Sequence, residues 1–199
     1  HRSAQSKRLP TNLERLGGDL MKVGIIGCGG IGSNVAVNLV RVGIKDFVIA
    51  DFDVIDSSNL NRQFYFEDQI GNIKVSTLEE NLKKIHQNIN IEAHNVTVTK
   101  ENCTEIFSDC DIIVEAVDDK YYKTIVMQEC SKKKLLVMAS GIGNLDLKSV
   151  STKVVNNNIF VVGDFKSDIE SNLTYSTKVN YIACIMANIV LKEGFGYER

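Results

Sequence analysis

No Cys-x-x-Cys pair occurs in this chain of 199 residues. Its five cysteines, Cys28, Cys103, Cys110, Cys130 and Cys184, are odd in number and scattered. That pattern speaks against a structural zinc site and reads as reduced thiols serving as small apolar core residues. Histidine is scarce too. Of the three, His1 stands at the chain start, His86 reads as a helix-surface residue and His94 as a strand or edge residue. These are too few for a metal site, and no Ser/His/Asp order is evident. Basic excess is missing: the formal charge is -2 and the pI about 6.0. A nucleic-acid partner is therefore not expected, since it would need a basic stripe. No stretch approaches the roughly 18 apolar residues of a membrane span. No charged segment followed by an apolar one opens the chain, so the expected location is cytoplasmic. Internal repeats, linkers and low-complexity blocks are absent.

Proline occurs once, as Pro10, in a segment unlike the rest. Residues 1–20 hold three of the six arginines, Arg2, Arg8 and Arg15. From Met21 onward the chain is rich in Asn, Ile and Lys, with Arg only at 41, 62 and 199. Residues 1–20 read as an added or flexible arm before a natural start at Met21; a genuine N-terminal arm is the competing reading. Residues 21–199 read as a single domain, in a chain whose 44% hydrophobic content suffices for a sizeable core. Apolar runs alternate with helical patterns, which predicts an α/β fold with a Rossmann-like, mostly parallel sheet, helices on both faces and a C-terminal antiparallel extension. Strands are expected over 22–26, 47–50, 91–98, 111–117 and 135–139. Helices are expected over 30–42, 74–87, 121–133 and 179–192. A hairpin is expected from 149–155 and 158–163 around Asn156-Asn157. Residues 53–71 are polar, irregular and long for a connector, which favours a functional loop. The Lys132-Lys133-Lys134 run reads as a solvated helix end favoured by the helix dipole.

The chemistry begins at Gly27-Cys28-Gly29-Gly30-Ile31-Gly32, between the first strand and the first helix. Glycines at such a turn let the backbone approach a nucleotide closely, and the helix N-terminus offers free N–H groups and positive partial charge. Asp51 ends the second strand, where a carboxylate can accept hydrogen bonds from ribose hydroxyls. These features predict a nucleotide but do not separate NAD from ATP. The following residues do. Asn59, Arg62 and Gln63, with Lys74 opening the next helix, have little use beside the ribose of a dehydrogenase. They suit a triphosphate, for which Arg supplies a planar fork and Lys a compact charge.

The strings Asp51-x-Asp53, Ser58-Asn59-Leu60-x-Arg62-Gln63 and Gly71-x-x-Lys74-Val75, followed by Ile112-Ile113-Val114-Glu115-Ala116-Val117-Asp118-Asp119, resemble the nucleotide site of the ThiF/MoeB/HesA adenylyltransferases. The resemblance runs from Met21 to Gly143 and more loosely to the closing helix. It implies nucleotide contacts at Gly27, Gly29, Gly30 and Gly32, a ribose contact at Asp51 and a binding stretch at Ser58 and Leu60. Phosphates would be held by Asn59, Arg62 and Lys74, and Mg²⁺ by Asp118 with Asp119 beside it. The catalytic set it implies is Arg62, Lys74 and Asp118. Asp119 stands where the family often has Asn, and Lys123 where it commonly has Arg. The paired-cysteine zinc site of longer members is absent, as is a cysteine in the 164–178 crossover.

The activity so implied is ATP- and Mg²⁺-dependent adenylation of the C-terminal Gly-Gly carboxylate of a small ubiquitin-like sulfur-carrier protein, ThiS-like, in thiamine biosynthesis. The hairpin and crossover after Ser149 are the expected docking surface. Two other readings stay open: an NAD-dependent oxidoreductase and a non-catalytic nucleotide-binding module. Asp118 has an alternative role as cap of the following helix. The resemblance also implies a homodimer. The closing helix carries more apolar residues than one core stripe needs, and either a second copy or the hairpin would cover them.

Overall fold

A computed structural model describes residues 21–130, 134–167 and 171–196. The expected arm at 1–20 and the residues Lys132 and Lys133 lie outside these. The chain folds into a seven-stranded sheet with strand order β3-β2-β1-β4-β5-β7-β6. The strands are β1 (Val23–Ile26), β2 (Asp46–Ala50), β3 (Asn90–His94), β4 (Ile112–Glu115), β5 (Leu135–Ala139), β6 (Ser151–Asn156) and β7 (Ile159–Gly163). All pairings are parallel except β6 with β7. The helices are α1 (Gly30–Val42), α2 (Lys74–Ile85), α3 (Lys100–Ile106), α4 (Lys120–Cys130) and α5 (Ser176–Ile189), which runs into a π-turn at Val190–Gly194.

Alternation along the central strands explains the two cores. Ile25 and Val114 join Val35 and Leu39 of α1, Leu78 and Leu82 of α2, and Ile182 and Met186 of α5 on one face. Ile26 and Ile113 join Cys103 of α3 and Val126 of α4 on the other. Side chains on a strand point alternately to opposite faces, so a sheet covered on both sides needs apolar residues at every position. The runs in β1 and β4 meet that need up to Glu115, a buried carboxylate paired with Lys123.

Four expectations are corrected. Alternation continues to Val98, yet β3 stops at His94, because its partner β2 ends at Ala50, opposite His94. Helix α3 was not anticipated; it is short, and Asn102 turns its side chain back onto the Thr99 N–H at 2.7 Å. The apolar surplus of α5 is covered within the chain: Ile182, Ala183, Met186 and Val190 are all buried against α1, β5 and β7. A second copy is not needed for that purpose. Finally, Lys134 is not a solvated helix end. Its Nζ donates to the carbonyls of Phe107 and Ser108, closing the C-terminus of α3, where a cation is favoured. Three of the cysteines, Cys28, Cys103 and Cys110, are buried as expected, while Cys184 is exposed.

Candidate active site

The sheet order reverses between β1 and β4, and clefts in open α/β sheets form at such a switch, beyond the strand C-termini. A cleft of about 310 Å³ lies there, walled by Gly27, Gly29, Asp51, Asp53, Gln63, Lys74, Asp118 and Asp119. Its apolar end is made by Phe52, Val96, Val98 and Val126. The residues after His94 thus leave the sheet to form a wall of the cleft.

The glycine turn is shaped by close backbone approach. Gly27 has φ +92°, and a Cβ there would sit 2.8 Å from the Ala116 carbonyl oxygen. A Cβ on Gly32 would be driven into the Gly27 carbonyl. Gly29 is different: the nearest atom to a Cβ there is Gln63 Nε2 at 3.6 Å, which leaves its backbone open to a ligand. Asp51 holds the turn from below. Its Oδ2 accepts from Cys28 N at 2.6 Å and its Oδ1 from Asp53 N at 2.8 Å. The Tyr65 hydroxyl donates to the Cys28 carbonyl at 2.8 Å. Burial, reinforced by the Asp51 charge and opposed by Lys74, keeps the Cys28 thiol well above its ordinary pKa, so it packs as an apolar side chain.

Lys74 is buried and pairs with Asp53 at 2.7 Å. It opens α2, whose N-cap Ile73 makes no side-chain cap bond. A helix N-terminus disfavours a cation, and a buried one costs more. A residue placed against both preferences suits an anionic ligand.

Asp118 and Asp119 divide their roles. Asp119 Oδ1 accepts from Tyr121 N at 2.7 Å and Tyr122 N at 3.4 Å, so it caps α4. Among the described hydrogen bonds none occupies the Asp118 carboxylate. Burial raises the Asp118 pKa, opposed by the charges of Lys123, Arg62 and Lys74 and reinforced by Asp51. Lys123 is itself engaged, donating to both Glu115 carboxylate oxygens at 2.9 and 3.0 Å and to the Ala139 carbonyl at 3.0 Å. Burial pushes the Glu115 carboxyl up, and Lys123 offsets the push.

The 58–62 stretch does not line the cleft. Asn59 Oδ1 accepts from Asp56 N at 3.0 Å. Arg62 Nη1 donates to the Ser58 carbonyl at 2.9 Å and to Asn61 Oδ1 at 2.7 Å. Ser58 and Leu60 stand in the same tight turn, and Gly30 packs between Val179 and the Arg62 stem.

A second cavity of about 210 Å³ shares the wall Ala116, Val117 and Asp118 and opens toward Ser140, Gly141 and Ser167. Sequence reasoning did not find it. Its walls come from the ends of β4, β5 and β7 and the residues that follow them, with Ile31 of α1 and Lys120 and Lys123 of α4, segments distant in the chain, so no local spacing marks them. Tyr122 was missed as a cleft residue for the same reason, whereas Asp53 and Gln63 stood in the motif strings without an assigned contact and prove to wall the cleft.

The nucleotide fits the residues present. The turn leaves backbone open at Gly29, a helix N-terminus faces the cleft, Lys74 is a buried cation, and Gln63 Oε1 is buried without a hydrogen-bond partner. For magnesium, no three His, Cys, Asp or Glu side chains converge among the described residues. Magnesium needs only one or two carboxylates when phosphates complete its shell, and Asp118 can be one.

Residues 14–193 match the ThiF family. The chain belongs to the ThiF family. It is similar to SUMO-activating enzyme subunit 2 of Dictyostelium discoideum, 37% identical over 122 residues, which are 60% of this chain and 18% of that protein. It is also similar to the adenylyltransferase and sulfurtransferase UBA4 of Candida glabrata, 32% identical over 124 residues, or 61% of this chain and 29% of that one. The chain thus spans less than a third of the length of these two curated relatives. Its fold matches that of E. coli tRNA N6-threonylcarbamoyladenosine dehydratase, TcdA, solved in complex with AMP. That match has a TM-score of 0.83 at 19% identity and covers 92% of this chain and 90% of that one.

Proposed function

We propose that this ThiF-family chain is an adenylyltransferase that activates the C-terminal Gly-Gly carboxylate of a small ubiquitin-like sulfur carrier. One observation carries the reading: Asp118 stands on the wall common to two cavities, one fitted to a nucleotide and one beside it. A carboxylate in the second cavity can meet the α-phosphorus of ATP in the first. A C–O–P bond then forms and the bond to pyrophosphate breaks. No protein nucleophile is needed. The work is to align two anions and cancel their charge.

In this reading the open backbone at Gly29 and the α1 N-terminus hold phosphate oxygens. Asp51 keeps the glycine turn in place and offers remaining lone pairs to the ribose. Lys74 stands ready to leave Asp53 for phosphate. Arg62 turns from the Ser58 carbonyl toward the phosphates, and Asn59 keeps the turn that carries it. Magnesium on Asp118 would add positive charge at the phosphates. The names of the relatives favour ubiquitin-like or sulfur-carrier partners. A ThiS-like carrier and a place in thiamine biosynthesis are the narrower form of the proposal, as is a single working domain over 21–199. A homodimer is part of it as well. The ThiF match and the Lys74 environment favour ATP over NAD.

The test is ATP–pyrophosphate exchange with ubiquitin-like carriers ending in Gly-Gly. Exchange that depends on both carrier and magnesium is the expected result. ATP binding without exchange for any such carrier would favour the non-catalytic module.

A further inference from the structure

Lys178 is fully buried, on the first turn of α5, where no expectation placed a functional residue. Its Nζ donates to the Gly143 carbonyl at 2.6 Å, to Asn144 Oδ1 at 2.8 Å and to Asp164 Oδ2 at 2.6 Å. The other Asp164 oxygen accepts from the backbone N–H groups of Lys166 and Ser167, each at 2.8 Å. One ion pair therefore ties two separate segments, residues 140–144 after β5 and 163–167 from the last residue of β7 onward. Backbone bonds cross between them, Asp164 N to Gly141 O and Phe165 N to Ser140 O, both 3.1 Å. Asn144 and Phe165 hold left-handed backbone at φ 61° and 62°, which asparagine adopts readily but a bulky residue such as Phe165 adopts when its surroundings impose it.

These same two segments form the far walls of the second cavity. An apolar pair could fill the space as well, since a buried ion pair is often no more stabilising than apolar side chains of like volume. What the charges add is directed contacts that fix where particular backbone groups lie. We propose that Lys178 and Asp164 are positioning residues that set the spacing of these walls, and so govern use of the incoming carboxylate without affecting the nucleotide. The proposal rests on the carboxylate-activation reading for its functional part, while its structural part can be judged alone.

The test uses the full chain with Lys178→Met, which keeps length and apolar volume but removes the cation. Asn144→Gly serves as a second variant. It removes one Lys178 acceptor while tolerating the left-handed backbone, and it decides the matter by the same measurements should Lys178→Met not fold. Amide hydrogen exchange is followed across the chain. The expected result is exchange faster by about tenfold or more at 140–144 and 163–167, with residues 27–32 unchanged. ATP affinity stays within about twofold, and in pyrophosphate exchange the KM for a synthetic peptide ending in Gly-Gly rises at least about fivefold while that for ATP does not. Unchanged exchange at the two wall segments overturns the proposal. So does a rise spread evenly over the sheet, or a fall in ATP affinity matching that for the peptide. If the wild-type chain shows no pyrophosphate exchange, the carboxylate-activation reading fails, and the hydrogen-exchange and ATP-affinity results still decide whether the pair positions the walls.

Discussion

Lys74 sits where a helix least favours a cation, and among the described residues only Asp53 answers its charge at close range. A fold selected for stability alone gains little from this arrangement, because Asp53 is half exposed and such a pair is partly screened. The charge makes sense against phosphate. Lys74→Ala is expected to lower pyrophosphate exchange by about 10²–10³ while the thermal midpoint stays close to wild type; near-normal exchange in that variant would remove Lys74 from the site. Asp164 gives a prediction of another kind. Burial alone would raise its carboxyl, but the bond from Lys178 and those from the Ser167 and Lys166 backbone outweigh burial and hold it well below the usual carboxylate range. A depressed folded pKa means stability that is fully present above the unfolded value, about 3.9, and lost as pH falls through the folded one. Glu115, raised by burial, has the opposite sign, and acidification through its folded value favours the fold. The two are separated by mutation. Urea midpoints measured from pH 7 downward should fall more steeply below about pH 4 for the wild type than for Asp164→Asn, and parallel curves would contradict the assigned role.

At the level of elements, the end of β4 and the start of α4 assign different work to adjacent carboxylates. Asp119 is spent on the helix N-terminus; Asp118 faces both cavities. Asp119→Ala should therefore cost about 0.5–2 kcal/mol of stability through the lost cap, with the magnesium dependence of exchange unchanged. Asp118→Asn should shift that magnesium dependence and leave stability near wild type. Reversal of the two outcomes, read by magnesium titration and thermal melting side by side, would exchange their roles. The contrast also shows what kind of information a sequence carries. Helix α1 and strand β5 were legible to the residue, because a glycine turn and an apolar run announce their ends locally. The α/β architecture was legible for the same reason, through the alternation of periods. Strand β3 was overrun because its pattern persists past the point where β2 stops, and the surplus residues Val96 and Val98 serve the cleft. Helix α5 begins three residues earlier than its apolar stripe suggests, since Lys178 interrupts the stripe with a buried charge. Of the residues that wall the cleft, Gly27, Gly29, Asp51, Lys74 and Asp118 could be read from motifs. The 58–62 stretch could be read as a motif but not as a geometry, and the second cavity not at all, since contacts between β5, β7 and α5 leave no spacing to recognise.

The whole molecule leaves apolar surface uncovered, though not where the sequence suggested. The stripe on α5 is buried within the chain. Exposed instead are Leu145 and Leu147 after β5, Leu173 and Tyr175 before α5, and Tyr181 on it, with Leu173 74% and Leu145 61% accessible. The two segments are joined, since Asn144 N donates to the Leu173 carbonyl at 2.9 Å. Leu145 adjoins Asn144, an acceptor of Lys178, and none of the five residues lines the nucleotide cleft. Single exposed apolar residues are common, but a grouped set marks an interaction site more often than an ordinary surface. A second copy is the occupant we expect, because a two-fold contact covers one patch with its own image. The expected solution mass is twice that of the single chain, with and without ATP, by light scattering at micromolar concentration. Leu173→Glu should halve that mass by burying a charge at the contact, without changing the stability of the separated chain by more than a surface substitution does, about 0.5 kcal/mol. A single-chain mass for the wild type under both conditions would end the dimer. A dimer indifferent to Leu173→Glu would move the contact elsewhere, to the edge strand β6, exposed along its length with Val154 and Val155. Exchange activity of the Leu173→Glu monomer then tells whether one chain suffices: activity near wild type means the two cavities around Asp118 are complete in a single copy.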